Sequence, residues 1–208
     1  MEERMIKLYA KNTSVPLKVV PGHFATNHSH INYYIDMTTL KANLPEAREI
    51  AKVLAGKFIA QTIETVVCLD GTQVLGTLLA DELCKGGMNA QTPICVVTPE
   101  TNGTSQLIFR DNIQPMIQGR HVLVLMASVT TGITIRKAAE CVTYYGGIMA
   151  GAASIFSDVK QVEGCEVHAA FHLEDIPDYR SYPAAECPLC KEHKPLDALV
   201  NSFGYSKL

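Results

Sequence analysis

This 208-residue sequence predicts an α/β fold with a Rossmann-like, mostly parallel sheet flanked by helices. Compact apolar runs at 65–69, 93–98, 121–126, 148–156 and 167–173 have the pattern of strands buried on both faces. Amphipathic stretches alternate with them, the order that builds parallel sheets. Two of the strands run straight into glycine-bearing turns before a helix, at 70–76 and 128–132. Such junctions open at the carboxyl edge of the sheet, where open α/β folds bind ligands.

Composition narrows the class further. Hydrophobic content of 47% and charged content of 19% describe a chain able to bury a sizeable core. A formal net charge of −3 favours no nucleic acid as the main partner. No charged N-terminus with an apolar core marks a secretory signal, and the apolar stretch 146–156 is too short and glycine-rich to span a membrane. Seven cysteines, an odd number set mostly in apolar runs (Cys68, Cys84, Cys95, Cys141), fit reduced thiols in a cytoplasm.

In chain order, 1–20 reads as a short helix or arm, 22–32 as a polar loop and 33–37 as a short strand. Residues 1–42 together are expected to form an arm and hood. The loop carries His23, His28 and His30, with no cysteine or carboxylate at ligand spacing, which argues against a metal there. Asn43-Leu44-Pro45-Glu46 has the cap, early proline and glutamate of a helix start. Ala47, Ile50, Ala51, Leu54 and Phe58 then share one face. A helix over 75–85 stops at Gly86-Gly87, 99–105 is a polar loop, and 106–109 is a short strand. A helix-like segment over 135–145 follows the 128–134 turn. The α/β core is expected over 43–180, with 181–208 as a tail carrying a Cys-x-x-Cys pair.

The stretch 122–134 carries the clearest chemistry. An apolar strand breaks into Ser128, Val129, Thr130, Thr131, Gly132 and Thr134 and then a helix. Free backbone N–H groups and the helix dipole converge at such a turn and favour an anion. Asp70-Gly71-Thr72-Gln73 is a second turn of the same kind. Phe24, Tyr33 and Tyr34 are candidates to stack on a planar ligand. Cys187 and Cys190, with His193 three residues on, invite a zinc reading, with His168 or His172 as a fourth ligand; without metal, those two histidines face solvent from a late strand.

These motifs, in this order, resemble those of orotate phosphoribosyltransferases within the type I phosphoribosyltransferase family. Gly22-His23-Phe24 through Tyr33-Tyr34-Ile35-Asp36-Met37 is similar to an N-terminal signature, and 122–134 to the phosphoribosyl pyrophosphate signature. The 70–73 turn matches the pyrophosphate loop, and Cys187-Pro188-Leu189-Cys190 with Pro195 matches a tail motif. The resemblance covers most of the chain. It implies a 5′-phosphate held at 128–134, a pyrophosphate contact at 70–73, a base pocket at Phe24 and Tyr34, magnesium in the reaction, and a homodimer.

The departures fall on the groups that do chemistry. Met126 and Ala127 stand where the family has an acidic pair facing the charge that develops at the anomeric carbon. Removing such groups removes electrostatic stabilisation of a transition state. The loop 99–104 carries no base where the family has a basic run, Asp158 is followed by Val159 in place of arginine, and Asn27-His28 replaces a Ser-Gly. No catalytic residue is assigned. The sequence therefore supports a phosphoribosyl- or nucleotide-binding protein poorly equipped for transfer, with a nucleotide sensor or a partner subunit as alternatives.

Overall fold

The computed structural model describes residues 2–26, 29–103 and 106–208. Asn27 and His28, and the Thr104–Ser105 end of the base-free loop, lie outside the described residues.

The core sheet runs in the order Cys165–His172, Ile148–Ser157, His121–Val129, Thr65–Cys68, Cys95–Val97, every neighbour parallel. A short strand, Gln161–Val162, adds antiparallel to its edge. The apolar run at 121–126 extends to Val129 and takes the central place. Successive side chains of a strand point to opposite faces. Leu123 and Leu125 accordingly join Ile50, Leu54, Leu75 and Leu79 on one side. Val122, Val124 and Met126 meet Ile135, Ala138 and Val142 on the other. Helices Leu44–Ala55 and Gln73–Leu83 therefore cover one face and helix Ile133–Tyr144 the other, which makes the fold a doubly wound α/β sheet.

Helix Leu44–Ala55 begins as its sequence predicts. The Asn43 side chain accepts the Glu46 N–H, and Pro45 fills the first turn, where no donor is needed. Phe58 is fully buried, but it sits beyond the helix end. The base-free segment near 100 folds partly into a two-strand ribbon, Glu100–Thr101 with Leu107–Ile108.

The hood differs most from expectation. Residues 22–25, read as loop, belong to a long strand, Leu17–Ala25, antiparallel to His30–Asp36. A register shift between Pro21 and Phe24 accommodates the proline, which cannot donate to a ladder. The tail is part of the same sheet. Ala198–Asn201 lies parallel to Phe24–Ala25 and pairs with Gly204–Lys207, while Ser181–Tyr182 pairs with the other side of the hairpin. Val20, Phe24, Ile31 and Tyr34 pack against Ala198 and Val200 in a small core of their own. Both ends of the chain thus build the hood.

Removing the Asn43 cap leaves an unpaired helix-end donor, so Asn43→Ala is expected to cost about 1 kcal/mol. Calorimetry should record a fall in Tm of about 2–4 °C for a chain of this size; an unchanged Tm would show that the cap contributes nothing.

Candidate ligand cleft and a histidine-cysteine cluster

A cleft of about 520 Å³ lies between the carboxyl edge of the core sheet and the hood. Ser128, Thr130, Thr131, Phe156 and Asp158 line it from the core. Thr26, Ser29, Ile31 and Tyr34 line it from the hood hairpin, and Val200, Asn201 and Ser202 from the tail. Its lining is rich in neutral hydroxyls. Tyr34 and Tyr179 are both pushed up to about 12, mainly by burial and secondarily by the nearby charges of Asp36 and Asp158, so both phenols remain donors. Asp158 brings the one carboxylate, and no lysine or arginine lines the cleft among the described residues.

The turn at 128–132 is built to leave donors free. Gly132 has φ 76°, a left-handed conformation that an L side chain adopts only at a cost. A Cβ there would also approach Val162 Cγ2 to 2.5 Å. Helix Ile133–Tyr144 starts immediately after it, with no side-chain cap on its first N–H groups among the described residues. Of the residues expected to hold a phosphate, Ser128, Thr130 and Thr131 face the cleft. Val129 does not: its side chain is buried in the core and its carbonyl accepts the Asp158 N–H. Thr134 is exposed on the first helical turn, outside the lining.

The 70–73 turn is a structural joint. Asp70 and Gly71 both have positive φ. Thr72 is fully buried, and its hydroxyl donates to the carbonyls of Leu69 at 2.7 Å and Leu125 at 3.3 Å. Its side chain therefore pins strand to turn and is unavailable to a ligand. Burial raises the Asp70 carboxyl above the usual range, against hydrogen bonds from the Ala127 N–H and the Ser202 hydroxyl and the attraction of Lys41. Lys41, which sequence reasoning passed over, is itself nearly buried, and burial lowers it. Its ammonium donates to the Asp70 and Ser202 carbonyls at 3.1 and 2.8 Å. Nothing in the local sequence 38–42 signals that this lysine ties the core turn to the tail.

Phe24, expected in a base pocket, is fully buried in the hood core and absent from the lining, whereas Tyr34 is present. Met126 and Ala127, at 3% and 0% exposure, are packed into the sheet, so apolar contact occupies the place of the family's carboxylates.

A second constellation lies at the hood's other end. His23 Nε2 is 3.1 Å from His30 Nδ1, 3.5 Å from Cys187 Sγ and 3.6 Å from Cys190 Sγ. His30 Nδ1 is 3.2 Å from Cys190 Sγ. His193 is not in this group, nor are His168 and His172. His193 follows the Pro188–Lys191 turn with φ 56°, and His168 packs edge-on against Phe58 beside Glu166.

Because the folded state raises the Asp70 pKa, the folded chain holds this proton more tightly than the unfolded one. The contribution is fully present below the ordinary carboxylate value and is lost as pH rises through the raised value. Asp70→Asn should thus flatten stability against pH, wild type gaining on the variant as pH falls from neutral through the raised value; parallel profiles would contradict the assignment. Ala127→Asp puts a second carboxylate, fully buried, beside the first. It is expected to cost about 3 kcal/mol or more, read from the denaturant midpoint, and a cost below 1 kcal/mol would contradict the packing described.

No protein-family model matches the chain. It is 28% identical over 181 residues to the orotate phosphoribosyltransferase of Heliobacterium modesticaldum, covering 85% of this chain and 88% of the relative. The corresponding protein of Caldanaerobacter subterraneus is 28% identical over 200 residues, covering 94% and 95%. The crystal structure of the Mycobacterium tuberculosis H37Rv orotate phosphoribosyltransferase, in complex with 5-phospho-alpha-D-ribosyl 1-diphosphate, superposes with a TM-score of 0.53 at 17% identity, over 68% of this chain and 82% of that one. The chain has the type I phosphoribosyltransferase fold and, over most of its length, is similar to orotate phosphoribosyltransferases.

Proposed function

We propose that this is an orotate phosphoribosyltransferase-like protein of nucleotide metabolism, on the pyrimidine side, whose cleft holds the 5′-phosphate of a phosphoribosyl compound or nucleotide. The observation that carries the reading is the 130–132 turn: two threonines facing the cleft, a left-handed glycine, and the uncapped start of a twelve-residue helix behind them. Tyr34, Tyr179 and Asp158 lie in the same cleft and are suited to hydrogen-bond a ribose or base.

The same cleft is poorly matched to ribosyl transfer. A magnesium pyrophosphate substrate needs oxygen ligands and counter-charge. Met126 and Ala127 carry no side-chain oxygen, Asp158 is the one carboxylate of the described lining, and that lining has no lysine or arginine. These residues do not fit the magnesium that the family uses, so no step is assigned to it. A single phosphate, held by N–H and hydroxyl groups, is the better match.

Seven free thiols support a reducing, cytoplasmic setting. No helix among the described residues is long and apolar enough to cross a membrane. A homodimer belongs to this reading through the resemblance alone, and light scattering measures it.

Uridine 5′-monophosphate, orotidine 5′-monophosphate and phosphoribosyl pyrophosphate are each expected to raise Tm in step with their concentration, since they bind only the folded chain. Thr131→Val should weaken that response. No shift at millimolar ligand would overturn the binding reading. With orotate, phosphoribosyl pyrophosphate and magnesium, turnover is expected to fall below that of the Heliobacterium relative by about a hundredfold or more, the scale on which lost transition-state electrostatics is felt. Equal turnover would overturn the argument from Met126 and Ala127; none at all favours a nucleotide-sensing or partner role on the same fold.

A further inference from the structure

We propose that His23, His30, Cys187 and Cys190 form a structural zinc site that clips the hood hairpin to the C-terminal tail. The four ligand atoms, His23 Nε2, His30 Nδ1 and the two Sγ atoms, all lie within 4.8 Å of one another. Tetrahedral zinc with ordinary bond lengths sets nitrogen–nitrogen edges of about 3.3 Å, nitrogen–sulfur edges of about 3.6 Å and a sulfur–sulfur edge of about 3.8 Å. Four of the six edges in the structure are 3.1 Å for the nitrogen pair and 3.2, 3.5 and 3.6 Å for nitrogen to sulfur. These four edges are close to those of a zinc tetrahedron, and the other two lie within 4.8 Å.

The surroundings support a metal more than a plain hydrogen-bond cluster. His23 Nδ1 lies 2.9 Å from the Lys194 carbonyl. That contact holds the Nδ1 proton and leaves Nε2 bare toward the centre, the arrangement usual for a metal-bound imidazole. His23 and Cys187 are 4% and 1% exposed, so two of the ligands are withdrawn from water. Pro188–Lys191 is a single helical turn that brings Cys187 and Cys190 to the same side. Two nitrogens and two thiols select zinc over magnesium or calcium, which take oxygen. Four protein ligands leave no open position, which makes the site structural.

The consequence follows from where the ligands sit. His23 lies on strand Leu17–Ala25 and His30 opens strand His30–Asp36. Thr26, Ser29 and Tyr34, from the same hairpin, line the cleft. The cysteines precede Ala198–Asn201, the strand that carries Val200 and Asn201 into the cleft wall. One ion therefore holds two walls of the cleft together and closes a loop of more than one hundred and fifty residues, a closure with a large entropic cost in the unfolded chain.

The test is elemental analysis of the full-length protein purified from zinc-supplemented cells without chelator, followed by exchange of the ion for cobalt(II). One zinc per chain is expected, and the cobalt form should show the intense visible bands of a tetrahedral site together with thiolate charge transfer. His30→Ala and Cys190→Ser, both at the solvent side of the cluster, should each lose the ion and lower Tm. His193→Ala and Cys165→Ser should keep it. Less than a tenth of an equivalent of zinc in folded wild-type protein, even after zinc is added back, would overturn the proposal. So would equal loss of zinc in His193→Ala, or cobalt spectra without thiolate charge transfer. The wild-type cobalt spectrum decides the matter if the variants fail to fold.

Discussion

The parallel pairing of Ala198–Leu199 with Phe24–Ala25 is the contact on which the rest of the architecture depends. It brings the last strands of the chain against the first long strand and converts two terminal segments into one hood. Without it the cleft would lose the wall that Val200, Asn201 and Ser202 supply beside the hairpin. Lys41 reinforces the closure from below, holding the Asp70 and Ser202 carbonyls together, and Asp197 does so from the side by accepting the His23 N–H at 2.8 Å and pairing with Arg4. The Lys41–Ser202 and His23–Asp197 contacts join residues more than 160 positions apart, so the hood rests on both ends of the chain.

The floor is made differently. His121–Val129 is buried on both faces, so its register is set by two independent sets of packing partners, and a slip of one residue would exchange them. That rigidity delivers Ser128, Thr130 and Thr131 to a defined place at the end of the strand. It also explains the cost of substitution at 126 and 127. These positions are part of the packed sheet, and a carboxylate there needs a partner or water that the surroundings do not provide. The same strand that presents the hydroxyls keeps the neighbouring positions apolar.

What could be read from the sequence divides along physical lines. The five core strands and the helix start at Asn43 were legible because burial on both faces leaves an unbroken apolar run and a cap has its own residue signature. The 22–25 strand was hidden by Pro21, Gly22 and His23, whose strand conformation rests on a register shift and on a partner from the far end of the chain. Thr72 looks the same in sequence whether its hydroxyl meets a ligand or the Leu69 carbonyl. Phe24 stands beside the tyrosine that does line the cleft, yet faces the hood core. His23 and Cys187 are 164 residues apart, and no local spacing rule joins them.

A phosphate ester at the 130–132 turn is what the functional reading stands on. A crystal structure of the protein with uridine 5′-monophosphate tests it most directly. Phosphate oxygens are expected within hydrogen-bond distance of the backbone N–H groups of Thr131 and Gly132 and of a threonine hydroxyl, with the nucleoside running toward Tyr34 and Asp158. A nucleotide bound elsewhere, or a turn left without phosphate at saturating ligand, would contradict it.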